Sequence, residues 1–309
     1  MHKDAMATPI QIIPLQLAGN TTTDQNQQLA DLLRDTAAEV SQLAVDQLDR
    51  QSAQTILDKS SVLKSEFVEA LMHLIERHTI SDKYKDEEVP SKRVYSPSYR
   101  VRPIEAQVTE LRKHFPLLKN VNEKLARRPL PDGAEAWFAI PNWASMAPTY
   151  NEAAEMVIEV LASKRKFQNR LLGKLGPNHL RQTDRNKLAY GILKEQQPGA
   201  DIFIVAAQFG MKHRGCSARR ARVSMFGNEY GGGVLTVGSM LLTHPERLSS
   251  DDALMIDCGG DEYAPHSDFT FDRVPLFDYD IAGIEFSIFY NDRARNLWGT
   301  PSCFLYRTN

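Results

Sequence analysis

The chain has 309 residues, of which 42% are hydrophobic and 25% are charged, and its formal net charge is -2 at pH 7. These fractions are close to the averages for folded globular proteins, so they argue against a disordered chain. No stretch approaches the roughly 18 consecutive apolar residues that a membrane span needs. A chain of this length forms one large domain or two ordinary ones, and we expect two.

The three cysteines, Cys216, Cys258 and Cys303, are odd in number and far apart in the sequence. This arrangement argues against a disulfide framework and favours a reducing compartment, so we expect a cytoplasmic protein. No two of them have the C-x-x-C spacing of a structural zinc site. We therefore expect inert buried thiols and no cofactor.

Two amphipathic stripes occupy the first part of the chain. The first begins near Asp24, where residues 21–24 supply N-cap side chains, and the second begins after Ser52 and ends near His78. The stripes consist of Leu29, Leu32, Leu33, Val40, Leu43, Ala44 and Leu48, and of Ile56, Val62, Leu63, Phe67, Leu71, Leu74 and Ile75. They predict a long helical hairpin that packs within one chain or against a second copy.

A linker and a domain boundary are predicted from the proline content. Residues 79–103 contain three prolines and a run of mixed charge, which predicts an extended linker. Short helices are predicted between Ile104 and Arg128, and the turn residues at 129–133 mark the boundary. The sequence thus predicts a helical N-terminal region over 1–130 and a mixed α/β domain over 131–309.

The second domain carries both helix and strand signals. Thr149 and Glu152 have the capping-box spacing, which predicts a helix to about Leu172, and another helix is predicted from residue 183 or 184 to about 196. Strands are predicted at 136–140, 201–207, 233–237, 253–258, 284–290 and 303–306. Helices early and strands late predict an α+β fold, with a helical N-terminal arm and a central sheet in the C-terminal domain.

The near-neutral net charge conceals a strong separation of charge along the chain. Residues 164–222 contain fourteen Lys and Arg against three Asp and Glu, whereas residues 246–292 contain twelve Asp and Glu against two Arg. Three explanations stay open: the two segments face each other within the fold, the basic segment binds an anionic partner, or opposite faces of two copies associate. The last two predict a protein or protein–nucleic acid partner, or a homo-oligomer.

A basic loop over residues 212–222 follows the predicted strand 201–207. A loop of cations and small residues at a strand end is suited to holding phosphate, although it lacks the pattern of a nucleotide-binding loop. The predicted binding residues are Lys212, His213, Arg214, Arg219, Arg220 and Arg222. Cys216 in this loop is a weaker prediction for a nucleophile, because no base partner is identifiable.

An acidic turn over residues 257–262 contains the sharpest candidate for metal chemistry. Carboxylates around Gly259 and Gly260, followed by a histidine, are ligands that a divalent cation accepts. The predicted ligands are Asp257, Asp261, Glu262 and His266. Their spacing matches no defined metal motif, so a structural turn is the favoured interpretation.

Two functional hypotheses follow, and the sequence leaves the choice open. The first is a non-catalytic binding or regulatory protein, oligomeric, that docks on a macromolecular partner through its charged faces and helical arm. The alternative is a metal-dependent hydrolase of a phosphorylated or nucleic acid substrate, with the acidic turn holding the metal and the basic loop holding phosphate.

Overall fold

The computed structural model describes residues 23–61, 63, 64, 67, 83–225, 227–266 and 269–306. Within these residues the fold is α+β, as predicted, with helices ahead of a sheet-rich region. The contacts divide the chain into two units, one within residues 14–81 and one from residue 82 onward. No helix in the described part of the chain is long and apolar enough to cross a membrane.

The smaller unit contains helices α1 (Thr23–Gln47) and α2 (Arg50–Asp58). The break between them is explained by Asp49, whose side chain caps α2 by accepting the N–H of Ser52 at 2.7 Å. Most of the second predicted stripe, and the N-cap positions 21 and 22, lie outside the described residues. The hairpin therefore stays a prediction.

The described residues of the larger unit form five α-helices: α3 (Ile104–His114), α4 (Tyr150–Lys164), α5 (Asp184–Gln196), α6 (Ala218–Ser224) and α7 (Val234–Thr243). The capping box predicted for Thr149 and Glu152 is present at the start of α4, with both reciprocal hydrogen bonds. That helix ends at Lys164, earlier than the predicted Leu172. Helix α5 is capped by Thr183 and has the predicted bounds.

Eleven strands are formed by the described residues of the larger unit: β1 (Ala136–Pro141), β2 (Phe167–Asn169), β3 (Leu180–Gln182), β4 (Ile202–Gln208), β5 (Glu229–Gly231), β6 (Met255–Asp257), β7 (Asp261–Tyr263), β8 (Arg273–Asp280), β9 (Gly283–Tyr290), β10 (Trp298–Gly299) and β11 (Ser302–Phe304). One sheet has the order β1-β4-β11-β5 and is antiparallel throughout. The other has the path β10-β6-β8-β7-β3, and β9 joins β8 to β2. The β6–β10 and β2–β9 pairs are parallel.

Helix α7 lies at the centre of the larger unit, and all ten of its residues are buried. It contacts α4, α3 and β1, and Gly238 permits the close approach of α4, since a Cβ there would lie 2.7 Å from Cγ1 of Val157. The strand predicted at 233–237 is therefore wrong. A continuous apolar run is compatible with a buried strand or a buried helix, and tertiary contacts select the helix here.

The predicted linker is docked on the larger unit over its described part, 83–103. Val89 N–H donates to the carbonyl of Gly215 at 2.9 Å, and Glu87 and Tyr99 are buried. Gly215 has φ +77° and lies so close to Val89 that a Cβ would be 2.1 Å from the Val89 carbonyl oxygen. The contacts thus group residues 83–130 with the larger unit, and α3 packs against β1 and α7.

Candidate functional site

The basic loop and the acidic turn meet at the N-terminus of α7. Asp261, at the start of β7, directs its carboxylate toward this helix, where Oδ2 accepts the N–H of Val234 at 2.7 Å. The same oxygen accepts the hydroxyl of Tyr150 at 2.7 Å. An acidic side chain at a helix N-terminus satisfies an otherwise unpaired N–H and is favoured by the helix dipole. Asp261 is therefore the cap of the most buried helix in the described fold.

Glycines bring the chain segments at this junction into direct contact. A Cβ on Gly260 would lie 2.1 Å from Nδ2 of Asn186 and 2.4 Å from the carbonyl oxygen of Gly231. A Cβ on Gly233 would lie 2.7 Å from Oδ1 of Asp261. Both positions lack room for any side chain, so the glycines on either side of the junction are required by packing rather than by flexibility.

Arg222 joins the basic loop to the acidic turn. Its guanidinium donates to the carbonyl oxygens of Gly259, at 2.8 Å from Nε, and Asp261, at 2.6 Å from NH2. It also lies 3.5 Å from Glu262. Burial lowers the pKa of Arg222, and the neighbouring carboxylates oppose that shift. Arg222 was predicted to bind phosphate, but its guanidinium donates to the backbone of the acidic turn instead.

Two buried carboxyls lie in the acidic turn. Burial raises the pKa of Asp257 to about 7, and the charges of Arg222 and Arg295 oppose the shift. Burial likewise raises the pKa of Asp261 to about 7, against the hydrogen bonds from Tyr150 and Val234. Within the described residues, Oδ1 of each carboxyl has no hydrogen-bond partner. Both groups are therefore easily protonated near neutral pH.

The four predicted metal ligands are not directed toward one point. Asp261 and Glu262 are adjacent in β7, so their side chains leave opposite faces of the sheet, and Glu262 pairs with Arg181 at 2.8 Å. His266 is exposed beyond the end of β7. Among the described residues, no group of three His, Cys, Asp or Glu is arranged to hold a metal ion. The metal site stays a prediction.

Another buried carboxylate, Glu229, organises the start of the basic loop. Oε1 is 2.8 Å from Nε2 of His213 and 2.5 Å from Oγ of Ser302, while Oε2 is 2.5 Å from Nζ of Lys212. Burial alone would raise the pKa of Glu229, but the charges and hydrogen bonds of His213 and Lys212 outweigh it and lower the pKa to about 2. Glu229 is therefore ionised across the physiological range.

The remaining predicted binding residues of the loop lie apart from Glu229 and its partners Lys212, His213 and Ser302. Arg219 pairs with Glu87 and Arg220 with Glu88, so both hold the docked segment 83–103. Arg214 is exposed and donates to the carbonyl oxygen of Arg93 at 3.2 Å. Phosphate or nucleic acid binding by the loop stays a prediction.

The two oppositely charged segments contact each other within the fold. Arg170 pairs with Glu285 at 3.1 Å, and Arg181 and Arg222 both pair with Glu262. These contacts support the explanation that the segments neutralise each other in part. Burial raises the pKa of Cys216 to about 11, so this thiol stays protonated at neutral pH and is a poor nucleophile.

The smaller unit presents a different kind of surface. In α1 an apolar row (Leu29, Leu32, Leu33, Val40 and Leu43) is flanked on one side by an acidic row (Asp24, Asp31, Asp35, Glu39 and Asp46), about a third of a turn around the helix. In the described structure Leu32 is 61% exposed and Leu43 is 60% exposed. Four side chains of the apolar row are therefore exposed in the described structure, and Leu33 is half-buried.

Sequence reasoning missed Glu229, Asn186 and Tyr150. Glu229 is an isolated acid just before Gly231-Gly232-Gly233, and an acid among glycines is the available signal. Tyr150 carries no such signal because its partner, Asp261, is far away in the sequence, and Asn186 reaches the junction only by packing against Gly260. No family model, no curated protein and no solved structure matches the chain.

Proposed function

We propose that this protein is a binding or regulatory protein that works as an oligomer and docks on a macromolecular partner, with α1 joining the copies. The observation that carries the proposal is the exposed apolar row of α1. Five large apolar side chains between Leu29 and Leu43 lie along one face of α1 over about 21 Å, at 1.5 Å per residue. Exposed apolar strips of this kind mark surfaces for protein association.

A second copy of the chain is the occupant that the pattern of α1 favours. Leu29, Leu33, Val40 and Leu43 follow the alternating four- and three-residue spacing of a coiled-coil seam, with Thr36 filling the position between. Asp24, Asp31 and Asp35 lie away from the seam and stay in water when two copies are in contact, whereas Glu39 and Asp46 flank the seam on the side of Leu32. In a parallel pair, Leu32 of one copy faces Ala37 of the other, which adds apolar contact without charge repulsion.

The magnitude of the gain fits a concentration-dependent association. Full burial of a Leu or Val side chain contributes about 1.5 to 3 kcal/mol, and roughly half of that remains to be gained by side chains already half covered. Eight seam residues in a pair thus contribute on the order of 8 kcal/mol, against an association cost of about 4 kcal/mol or more. The difference of about 4 kcal/mol corresponds to a dissociation constant of about 1 mM, so oligomers form at high protein concentration. Several larger units can then bind one partner with increased avidity.

The larger unit remains available for the macromolecular partner. Because Lys212, His213 and Arg222 are engaged within the fold, the proposal depends on the arm rather than on the basic loop. Its partner is a protein or a protein–nucleic acid complex, as the segregated charge predicts.

A paired set of variants tests the proposal. Leu33→Ser with Val40→Ser disrupts the seam, and Asp31→Ser with Asp35→Ser makes the same number of serine substitutions away from it, on the acidic row. Sedimentation equilibrium at concentrations up to about 1 mM measures mass, and circular dichroism measures helix content. We expect the seam variant to lose oligomers and the acidic-row variant to keep them. Equal masses for the two variants and the unaltered chain would contradict the proposal.

A further inference from the structure

The side chains of Glu229, His213 and Ser224 form a connected chain of contacts. Nε2 of His213 is 2.8 Å from Oε1 of Glu229, and on the other edge of the ring Nδ1 is 3.4 Å from Oγ of Ser224. We propose that Ser224 is the nucleophile of an acyl-transfer site, with His213 as its general base and Glu229 as the positioning residue of that base. This inference is independent of the proposed function of α1.

The hydrogen-bond pattern assigns the protons of these contacts. Glu229 can only accept when it is ionised, so Nε2 of His213 donates to it. In the tautomer that has its one ring proton on Nε2, the lone pair of Nδ1 points toward the Ser224 hydroxyl, which is the orientation that a general base requires. Lys212 and Ser302 hold the other sides of the carboxylate, so that Glu229 and the ring are fixed in place.

The placement of Ser224 makes it reachable. It is the last residue of α6 and is half-buried, whereas His213 and Glu229 are buried. Its hydroxyl donates to the carbonyl of Ala221 at 2.9 Å, and a rotation about the Cβ–Oγ bond axis turns the same proton toward His213. A contact of 3.4 Å is long for a hydrogen bond, but nucleophile–base contacts tighten when substrate binds.

The chemistry fits a small carboxylic ester and water. Oγ of Ser224 attacks the carbonyl carbon while its proton passes to Nδ1 of His213, and the C–O bond to the leaving alcohol breaks as His213 returns the proton to it. Water then attacks the acyl-serine with His213 again accepting a proton. The bond to Oγ breaks, Ser224 recovers its proton, and a carboxylic acid leaves.

Ser163 supplies a matched control within the same chain. It lies near the end of α4, is exposed, and donates to the carbonyl of Val160 at 2.8 Å, so it repeats the local geometry of Ser224. Among the described residues it has no histidine contact. Any greater reactivity of Ser224 is therefore due to His213 and not to position at a helix end.

The test uses the full chain and an alkyl fluorophosphonate, which reacts with activated serines. Mass spectrometry of peptides then locates the label. We expect labelling at Ser224 at least 100-fold faster than at Ser163, since a general base contributes about 10²- to 10⁴-fold. Labelling at Ser224 no faster than at Ser163, or no labelling, overturns the proposal without any variant.

Variants separate the roles of Ser224 and His213. Ser224→Ala abolishes the label, Ser163→Ala leaves it, and His213→Gln lowers the rate at Ser224 to that at Ser163. Unchanged labelling in a folded His213→Gln chain overturns the assignment of the base. If His213→Gln does not fold, the comparison of Ser224 with Ser163 in the unaltered chain still decides. Hydrolysis of p-nitrophenyl acetate by the unaltered chain, lost in Ser224→Ala, provides a second readout.

Discussion

Oδ2 of Asp261 accepts the backbone N–H of Val234 at 2.7 Å, although the two residues are 27 positions apart. This bond connects the acidic turn to the first residue of α7, and the hydroxyl of Tyr150 donates to the same oxygen. The acidic turn is thereby part of the structural centre of the larger unit. Stability, rather than metal binding, is the property that its substitution is expected to change.

Substitution of Asp261 tests this structural role. In Asp261→Ala the N–H of Val234 and the hydroxyl of Tyr150 both lose their acceptor in a buried place, so we expect a loss of about 3 kcal/mol in the free energy of unfolding. Asp261→Asn keeps one acceptor oxygen and is expected to lose about 1 kcal/mol. Urea unfolding followed by tryptophan fluorescence measures both, because all three tryptophans lie in the larger unit.

Calorimetric titration with Mg²⁺ or Mn²⁺ tests the alternative role of the acidic turn, which is metal binding. If the acidic turn binds a metal, the unaltered chain takes up the ion with micromolar affinity and both Asp261→Asn and Asp257→Asn abolish binding. We expect no such uptake. Its observation in the unaltered chain, with loss in both variants, would favour the metal-dependent hydrolase.

The pKa of Asp257 predicts a decline in stability toward neutral pH. Since burial raises this pKa from 3.8 to about 7, the folded state keeps a proton that the unfolded state loses between about pH 4 and pH 7. Stability therefore falls as pH rises through that window, by up to about 1.4 kcal/mol per pH unit for this group. Asp257→Asn should flatten the slope, whereas Asp251→Asn in an exposed turn controls for the loss of a charge. An unchanged slope in Asp257→Asn would contradict the shift.

Glu229 predicts the opposite dependence at acid pH. Its pKa is lowered from 4.5 to about 2, so the stabilisation by His213 and Lys212 is complete above about pH 4.5 and is lost as pH falls toward 2. Glu229→Gln should be less stable than the unaltered chain at pH 5, and the difference should shrink at pH 2.5. Urea unfolding at the two pH values measures it, and a difference that stays constant would refute the assignment.

Two glycine substitutions, one expected to lower the stability of the fold and one expected to raise it, test the packing at the junction. Gly260→Ala places a Cβ 2.1 Å from the Asn186 amide and close to two backbone atoms, so we expect a loss of about 3 kcal/mol. Gly191, inside α5, has no atom within 4 Å of the corresponding Cβ position. Gly191→Ala should stabilise the protein by about 0.5 to 1 kcal/mol through helix propensity. Similar midpoints in thermal unfolding for the two variants would contradict this packing.

Local signals predicted much of the fold correctly. The capping box of Thr149 and Glu152, the cap at Thr183 and the apolar run at 201–207 specify their elements through neighbours in the sequence. The start of α7 could not be predicted in that way. Gly233 offers no side chain to cap it, and the acceptor for Val234 comes from Asp261 in a different strand.

In the candidate site, too, the sequence identifies the charged segments but not the contacts between segments that are distant in the chain. The basic loop and the acidic turn were identified as charged segments, but their contact through Arg222 depends on the packing of α6 against the turn. The partners of Arg219 and Arg220, Glu87 and Glu88, come from a segment that its prolines mark as a linker. Charge counts along a sequence do not specify which opposite charges meet.

Sedimentation equilibrium of the unaltered chain tests most directly the claim that the arm joins copies. It is run at several concentrations up to the millimolar range, which a net gain of about 4 kcal/mol implies. The monomer has a mass of 34.9 kDa. We expect an average mass above this value that rises with concentration, and that returns to 34.9 kDa when Leu33 and Val40 are replaced by serine. A mass of 34.9 kDa for the unaltered chain at every concentration would contradict the account.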